Sequence, residues 1–139
     1  MIEIRVYGSP APQGSKSFKG KSKTGHAILV ESSRAVKPWR EAVKWAAVEV
    51  GRRTTGTVTV EMTFTLPKPK SAPKGRVTHP DRKPDLSKLV RSTEDALTDA
   101  GVWEDDARVI RCMAAKVYPG EGVDSLHIPG AVIRIVEVA

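Results

Sequence analysis

The stretch Lys83–Val109, KPDLSKLVRSTEDALTDAGVWEDDARV, decides the reading of the chain. Leu86, Leu89, Val90, Thr93, Ala96, Leu97 and Ala100 recur at helical spacing, so one face of a helix is apolar. Asp85 precedes the first of them, where a carboxylate can cap free N–H groups and meet the positive end of the helix dipole. Gly101 stops the helix. Val102 and Trp103 follow, and the pair Asp105 and Asp106 then leads into the strand-like run Val109–Val117. A short helix with a tight return is expected to bring Asp85 and the Asp pair close to one point. Carboxylates so placed repel one another unless a cation neutralises them, and a hard divalent ion suits them. The plainer reading leaves Asp85 as an N-cap and Asp105–Asp106 as a solvated turn.

Other segments supply strands and one more helix. Met1–Tyr7 alternates Ile2, Ile4 and Val6 with polar neighbours, as a strand with one buried face does. Ala27–Glu31 is a short apolar strand candidate. Trp39, Ala42, Val43, Ala46 and Val50 repeat at helical spacing, with Pro38 in the first turn and Gly51 as the stop. Trp39 and Trp45 are assigned to helix packing. Thr57–Leu66 places Val58, Val60, Met62, Phe64 and Leu66 on one face, Val109–Val117 is a strand that includes Cys112 as a small buried residue, and Ala131–Val138 is apolar enough for a central strand. The order β, β, α, β, α, β, β predicts a single α/β (α+β) domain over 1–139. It has two layers, a mixed sheet of about five strands and two main helices.

The formal charge is +7, from 23 Lys plus Arg against 16 Asp plus Glu, which favours an anionic partner. Placement sharpens this. Lys16, Lys19, Lys21 and Lys23 lie in a Gly/Ser-rich stretch read as a basic loop over about 9–25. Lys68, Lys70, Lys74, Arg76, Arg82 and Lys83 lie in a Pro-rich loop over about 67–84. With Lys88, all of these except Lys23 are the candidate DNA contacts. Gly14-Ser15-Lys16-Ser17 lacks the glycine spacing of a phosphate-binding P-loop, so no nucleotide cofactor is expected. His79, Asp81 and His127 are read as polar loop residues. A single cysteine precludes an intramolecular disulfide and suits a cytoplasmic setting. The N-terminus alternates, unlike a signal peptide, and no apolar run approaches the ~20 residues that span a bilayer.

The Asp-Leu-x-x-Leu start at Asp85, the Asp95-Ala96-Leu97 segment, Gly101 and the Asp105-Asp106 pair, in this order and spacing, resemble the signature of the RusA family of Holliday junction resolvases. The close likeness covers about a fifth of the chain, and weaker likeness reaches GSPAPQGSK and the KPWREAV helix, in the manner of phage-borne members. The resemblance implies a homodimeric endonuclease of DNA recombination and repair that needs Mg²⁺ or Mn²⁺ and cuts four-way junctions by paired nicks. Asp85 and Asp106 match the first and last family carboxylates, with Asp105 as a neighbouring ligand. Arg91, where the family often has lysine, is placed to hold the scissile phosphate. Ser87 stands where the family has a further acid, which opens the alternative of a junction-binding protein with weak or no cutting. Glu94 lies about 10 Å further along the helix and does not replace that acid.

Overall fold

The computed structural model describes residues 1–14, 16–21, 27–31 and 34–138, the stretches between 16 and 31 by their backbone; Lys23 lies outside the described residues. The strands are β1 (Ile2–Tyr7), β2 (Lys16–Lys21), β3 (Ala27–Glu31), β4 (Val58–Thr65), β5 (Val109–Val117) and β6 (Gly130–Glu137), and the helices are α1 (Val36–Val50) and α2 (Leu86–Asp99). A 3₁₀ turn, Asp106–Arg108, leads into β5. The main sheet has the order β1-β6-β4-β5 and is mixed, since β4 and β5 run parallel while the other pairs are antiparallel. The class is α+β, as the sequence predicts, with four strands in the main sheet rather than about five. The fifth candidate, β3, pairs instead with β2 in a separate antiparallel ribbon.

That ribbon corrects the reading of 9–25 as irregular throughout. Pro10 and Pro12 stand before Lys16, so the Lys16–Lys21 backbone keeps the N–H groups that a partner strand needs. Gly20 lies near the register shift in the ribbon.

Alternation builds the core. Ile2, Ile4 and Val6 of β1, Ala131, Ile133 and Ile135 of β6, and Val58, Val60, Met62 and Phe64 of β4 are all buried, and the register aligns Ile4 with Ile133 and Ile133 with Met62. β6 is central, as its continuous apolar run predicts. Both helices close over this layer. α1 buries Val36, Trp39, Val43 and Ala47 and ends on Gly51 in the left-handed region, its N–H donating to Ala47 O. Val50, expected in the apolar stripe, is exposed in the last turn, and Ala47 takes its place. Trp39 is a core residue that donates from Nε1 to Thr93 Oγ1 at 3.1 Å and packs edge-on against Phe64. Trp45, by contrast, is exposed and donates to Glu41.

α2 buries Leu89, Ser92, Thr93, Ala96 and Leu97, while Leu86, Val90 and Ala100 are partly buried against the core. Ser92 is polar and was outside the predicted stripe. Its hydroxyl donates to Ala11 O at 2.7 Å, and Gln13 N donates to Lys88 O at 3.0 Å. These bonds tie the segment after β1 to the first half of α2. At the other end of the sheet, β5 has β4 on one side and, among the described residues, no strand on the other. This edge position explains why Cys112, expected to be buried, is exposed.

Candidate active site

Asp85 stands at the N-cap of α2 with an extended backbone, and its carbonyl accepts from Lys88 N and Leu89 N, both at 3.1 Å. Its side chain makes no capping bond. The carboxylate is exposed, with the Lys88 ammonium 3.8 Å away, a solvated pair that contributes little to stability. The plainer reading of Asp85 as a side-chain cap is therefore not what the geometry shows. Lys116, near the end of β5, donates from Nζ to Arg82 O at 3.1 Å and to Pro84 O at 3.0 Å. A lysine of the sheet edge thus fixes the chain entering Asp85. Ser87 and Arg91 are exposed on the following turns of α2.

Asp106 lies at the opposite end of the helix. Trp103 Nε1 donates to Thr98 Oγ1 at 2.7 Å, and Thr98 Oγ1 donates to Asp106 Oδ1 at 2.8 Å. Trp103 is buried, so this relay runs from the core to an exposed carboxylate. Asp105 is the N-cap of the 3₁₀ turn and accepts from Ala107 N at 2.8 Å. Burial raises the Glu94 carboxyl above its ordinary value, and Asp106 and then Asp95 raise it further. Asp95 is also raised, by burial first; Arg40 opposes this, Asp106 adds to it, and Arg91 opposes it in turn. Asp106 is thus the electrostatic neighbour of Glu94 and Asp95. Sequence reasoning missed this grouping, although Glu94 and Thr98 stand four residues apart on one helix face.

The separation is decisive. Thr98 follows Asp85 by 13 residues, about 20 Å of helix at ~1.5 Å per residue. β5 gives a second ruler: Asp106 precedes its first residue, whereas Lys116, beside Pro84, is near its last. Two ligands of one ion must each lie within about 2.6 Å of it. The expectation that Asp85 and Asp106 meet at one point is therefore corrected, because the return after Gly101 folds back onto the end of α2 and not along its length. Among the described residues no group of three or more His, Cys, Asp or Glu side chains is placed to hold a metal ion.

The predicted DNA contacts fall into three sets. Lys16, Lys19 and Lys21 lie in β2. Lys70, Lys74, Arg76, Arg82, Lys83 and Lys88 are exposed. Lys68 is engaged within its own loop, donating to Glu121 Oε2 at 2.7 Å and to Arg76 O at 3.3 Å. Glu121 also accepts from Thr78 N at 3.0 Å. The 67–84 segment, read from sequence as a loose basic loop, is thus pinned by Glu121 in its middle and by Lys116 where it meets α2. His79 and Asp81 line a cleft in it, and His127 is exposed.

No helix among the described residues is long and apolar enough to cross a membrane. No curated protein matches the chain. The family model described as Endodeoxyribonuclease RusA matches residues 8–128, which takes in the ribbon, both helices, both basic segments, Asp85 and Asp106. With that match spanning most of its 139 residues, the chain belongs to the RusA endodeoxyribonuclease family.

Proposed function

We propose that the protein is a divalent-metal-dependent endodeoxyribonuclease that resolves four-way DNA junctions as a homodimer, by paired phosphodiester hydrolysis. The observation that carries this reading is the uncapped, exposed Asp85 carboxylate at the head of α2 in a member of this family, with a second held carboxylate, Asp106, 21 residues later. The oxygen donors suit Mg²⁺ or Mn²⁺.

One chain leaves the two acids at opposite ends of α2, and a second copy supplies the missing half. β5 offers an open edge and exposes Ile110 and Met113, 59% and 54% accessible. If two β5 edges pair antiparallel about a two-fold axis, the start of one strand meets the end of the other at a spacing of about 4.8 Å. Asp106 of the partner subunit then approaches Asp85, and the reverse holds at the second site. Two composite sites on one face suit a substrate cut at two symmetric positions.

Within each site Asp85 and Asp106 would hold the ion, with Asp105 beside it. A bound divalent ion supplies charge neutralisation at the phosphate and a water of lowered pKa. The Thr98–Trp103 relay fixes the orientation of Asp106. Arg91, an exposed cation on α2, steadies the scissile phosphate. Lysines and arginines of β2 and the 67–84 segment grip the flanking strands.

The test is cleavage of a labelled four-way junction with Mg²⁺ or Mn²⁺, set against EDTA, linear duplex, and the variants Asp85→Asn and Asp106→Asn. Metal-dependent paired nicks that vanish in both variants support the reading. Tight junction binding without nicks would instead identify a binder in which Ser87 has cost the site its cutting, and equal cutting of duplex would identify a general nuclease.

A further inference from the structure

A cleft of about 540 Å³ lies within the 67–84 segment and against Tyr118. Its size falls in the ~300–1,000 Å³ range of small-ligand sites. Arg76 and Arg82 line it, Asp81 opposes them, and Val77 and Tyr118 give it apolar surface. Thr78 also lines it: its backbone N–H is taken by Glu121, while its hydroxyl oxygen is buried with no partner.

The walls stand before any ligand arrives. The Lys68–Glu121 ion pair, 2.7 Å long with side chains 22% and 15% accessible, joins the segment to the loop after β5. Lys116 fixes the carbonyl of Arg82. Such preorganisation lowers the ordering cost of binding. Arg82 also precedes Asp85 by three residues, at most about 11 Å of chain. At ~3.4 Å of rise per nucleotide, this spans about three nucleotide steps.

We propose that this cleft is a nucleotide subsite of the junction nuclease: it receives one unstacked nucleotide close to the bond that is cut, with Arg76 and Arg82 on its phosphate. The base enters among Val77, Tyr118 and Thr78, and the Asp81 carboxylate accepts from an exocyclic amino group of the base. Unstacking costs least at a branch point, where pairing is already interrupted, so the cleft favours junctions over continuous duplex. The inference rests on the reading of the protein as a junction nuclease.

The test places 2-aminopurine, whose emission is quenched by stacking, at each of the three positions on either side of the cut site of a four-way junction. The Asp85→Asn protein is added so that no strand is cleaved, and anisotropy reports binding in the same samples. One position is expected to brighten about two- to tenfold on binding. The rise should fall at least about threefold when Val77→Trp fills the cleft or when exposed Arg76→Ala removes a phosphate contact. Loss of the rise in either variant supports the subsite. A bound junction with no brightening at any position, or a rise that persists in both variants, overturns it and leaves the nuclease reading standing. A junction that is not bound at all overturns both.

Discussion

The Thr98 hydroxyl donates to Asp106 Oδ1 at 2.8 Å while accepting from the buried Trp103 indole at 2.7 Å. This one side chain links the position of a carboxylate to the packing of the core. Thr98→Val removes both bonds and leaves the indole N–H unpaired, so unfolding in urea should show a loss of about 1–3 kcal/mol. Cleavage should fall about 10- to 100-fold, the usual effect of losing a group that orients a metal ligand. Thr98→Ser, which keeps the hydroxyl, should recover most of both.

Gly130 begins β6 where it crosses β1. A Cβ there would overlap the Val6 carbonyl and come within 2.8 Å of Leu126 Cδ1. The first of these is backbone held in the β1–β6 ladder and cannot move aside without breaking that pairing. Gly130→Ala should therefore destabilise the fold by about 1–3 kcal/mol or more, read as a lower urea midpoint with unchanged slope.

Glu94 sets one pH dependence. Its folded carboxyl is raised above the ordinary 4.5, chiefly by burial and then by Asp106. The native state thus holds its proton more tightly than the unfolded chain does. From about pH 4.5 upward the unfolded state binds fewer protons, so this group lowers stability as pH rises until the folded carboxyl has also ionised. Glu94→Gln should raise stability at neutral pH and flatten that decline in urea titrations across pH.

Glu121 acts in the opposite sense. The bond from Lys68 lowers its carboxyl most, followed by the bond from Thr78 N. Its contribution is present above its ordinary value of 4.5 and is lost as pH falls through the lowered folded value. Glu121→Gln should loosen the 67–84 segment, seen as faster hydrogen exchange at Thr78 N–H, with little change in the core.

DNA affinity should fall steeply with salt, because the exposed basic side chains displace counterions from phosphates. Lys70→Ala should lower the slope of log K against log salt by about 1 and weaken binding to all sequences alike. An unchanged slope would remove Lys70 from the contact surface.

Much of this architecture was legible in the sequence, because burial writes itself as period. The alternation in β1 and β4 and the helical stripe Leu89–Leu97 each gave the buried face correctly. Edges and returns were harder to read. Cys112 carries the same residue type whether a strand is central or at an edge, and only the sheet order exposes it. Lys16–Lys21 looked irregular because its lysines and glycine mask a ribbon that its partner strand completes. At the site, the sequence named the carboxylates but not their distance. Asp85 and Asp106 are 21 residues apart on any reading; that the chain returns to Thr98 and not to Ser87 depends on Trp103 entering the core.

The most direct test of the account is subunit mixing. Asp85→Asn and Asp106→Asn proteins, each inactive alone, are exchanged into heterodimers by brief mild denaturation and refolding together, then given a labelled junction with Mg²⁺. Composite sites place both substitutions in one site of the heterodimer and leave the other whole. Nicking of single strands should reappear at roughly half the wild-type rate per mixed dimer, since one of its two sites is intact, without paired resolution. If no nicking returns in dimers shown to be mixed, each site is built within one chain and the composite arrangement is wrong.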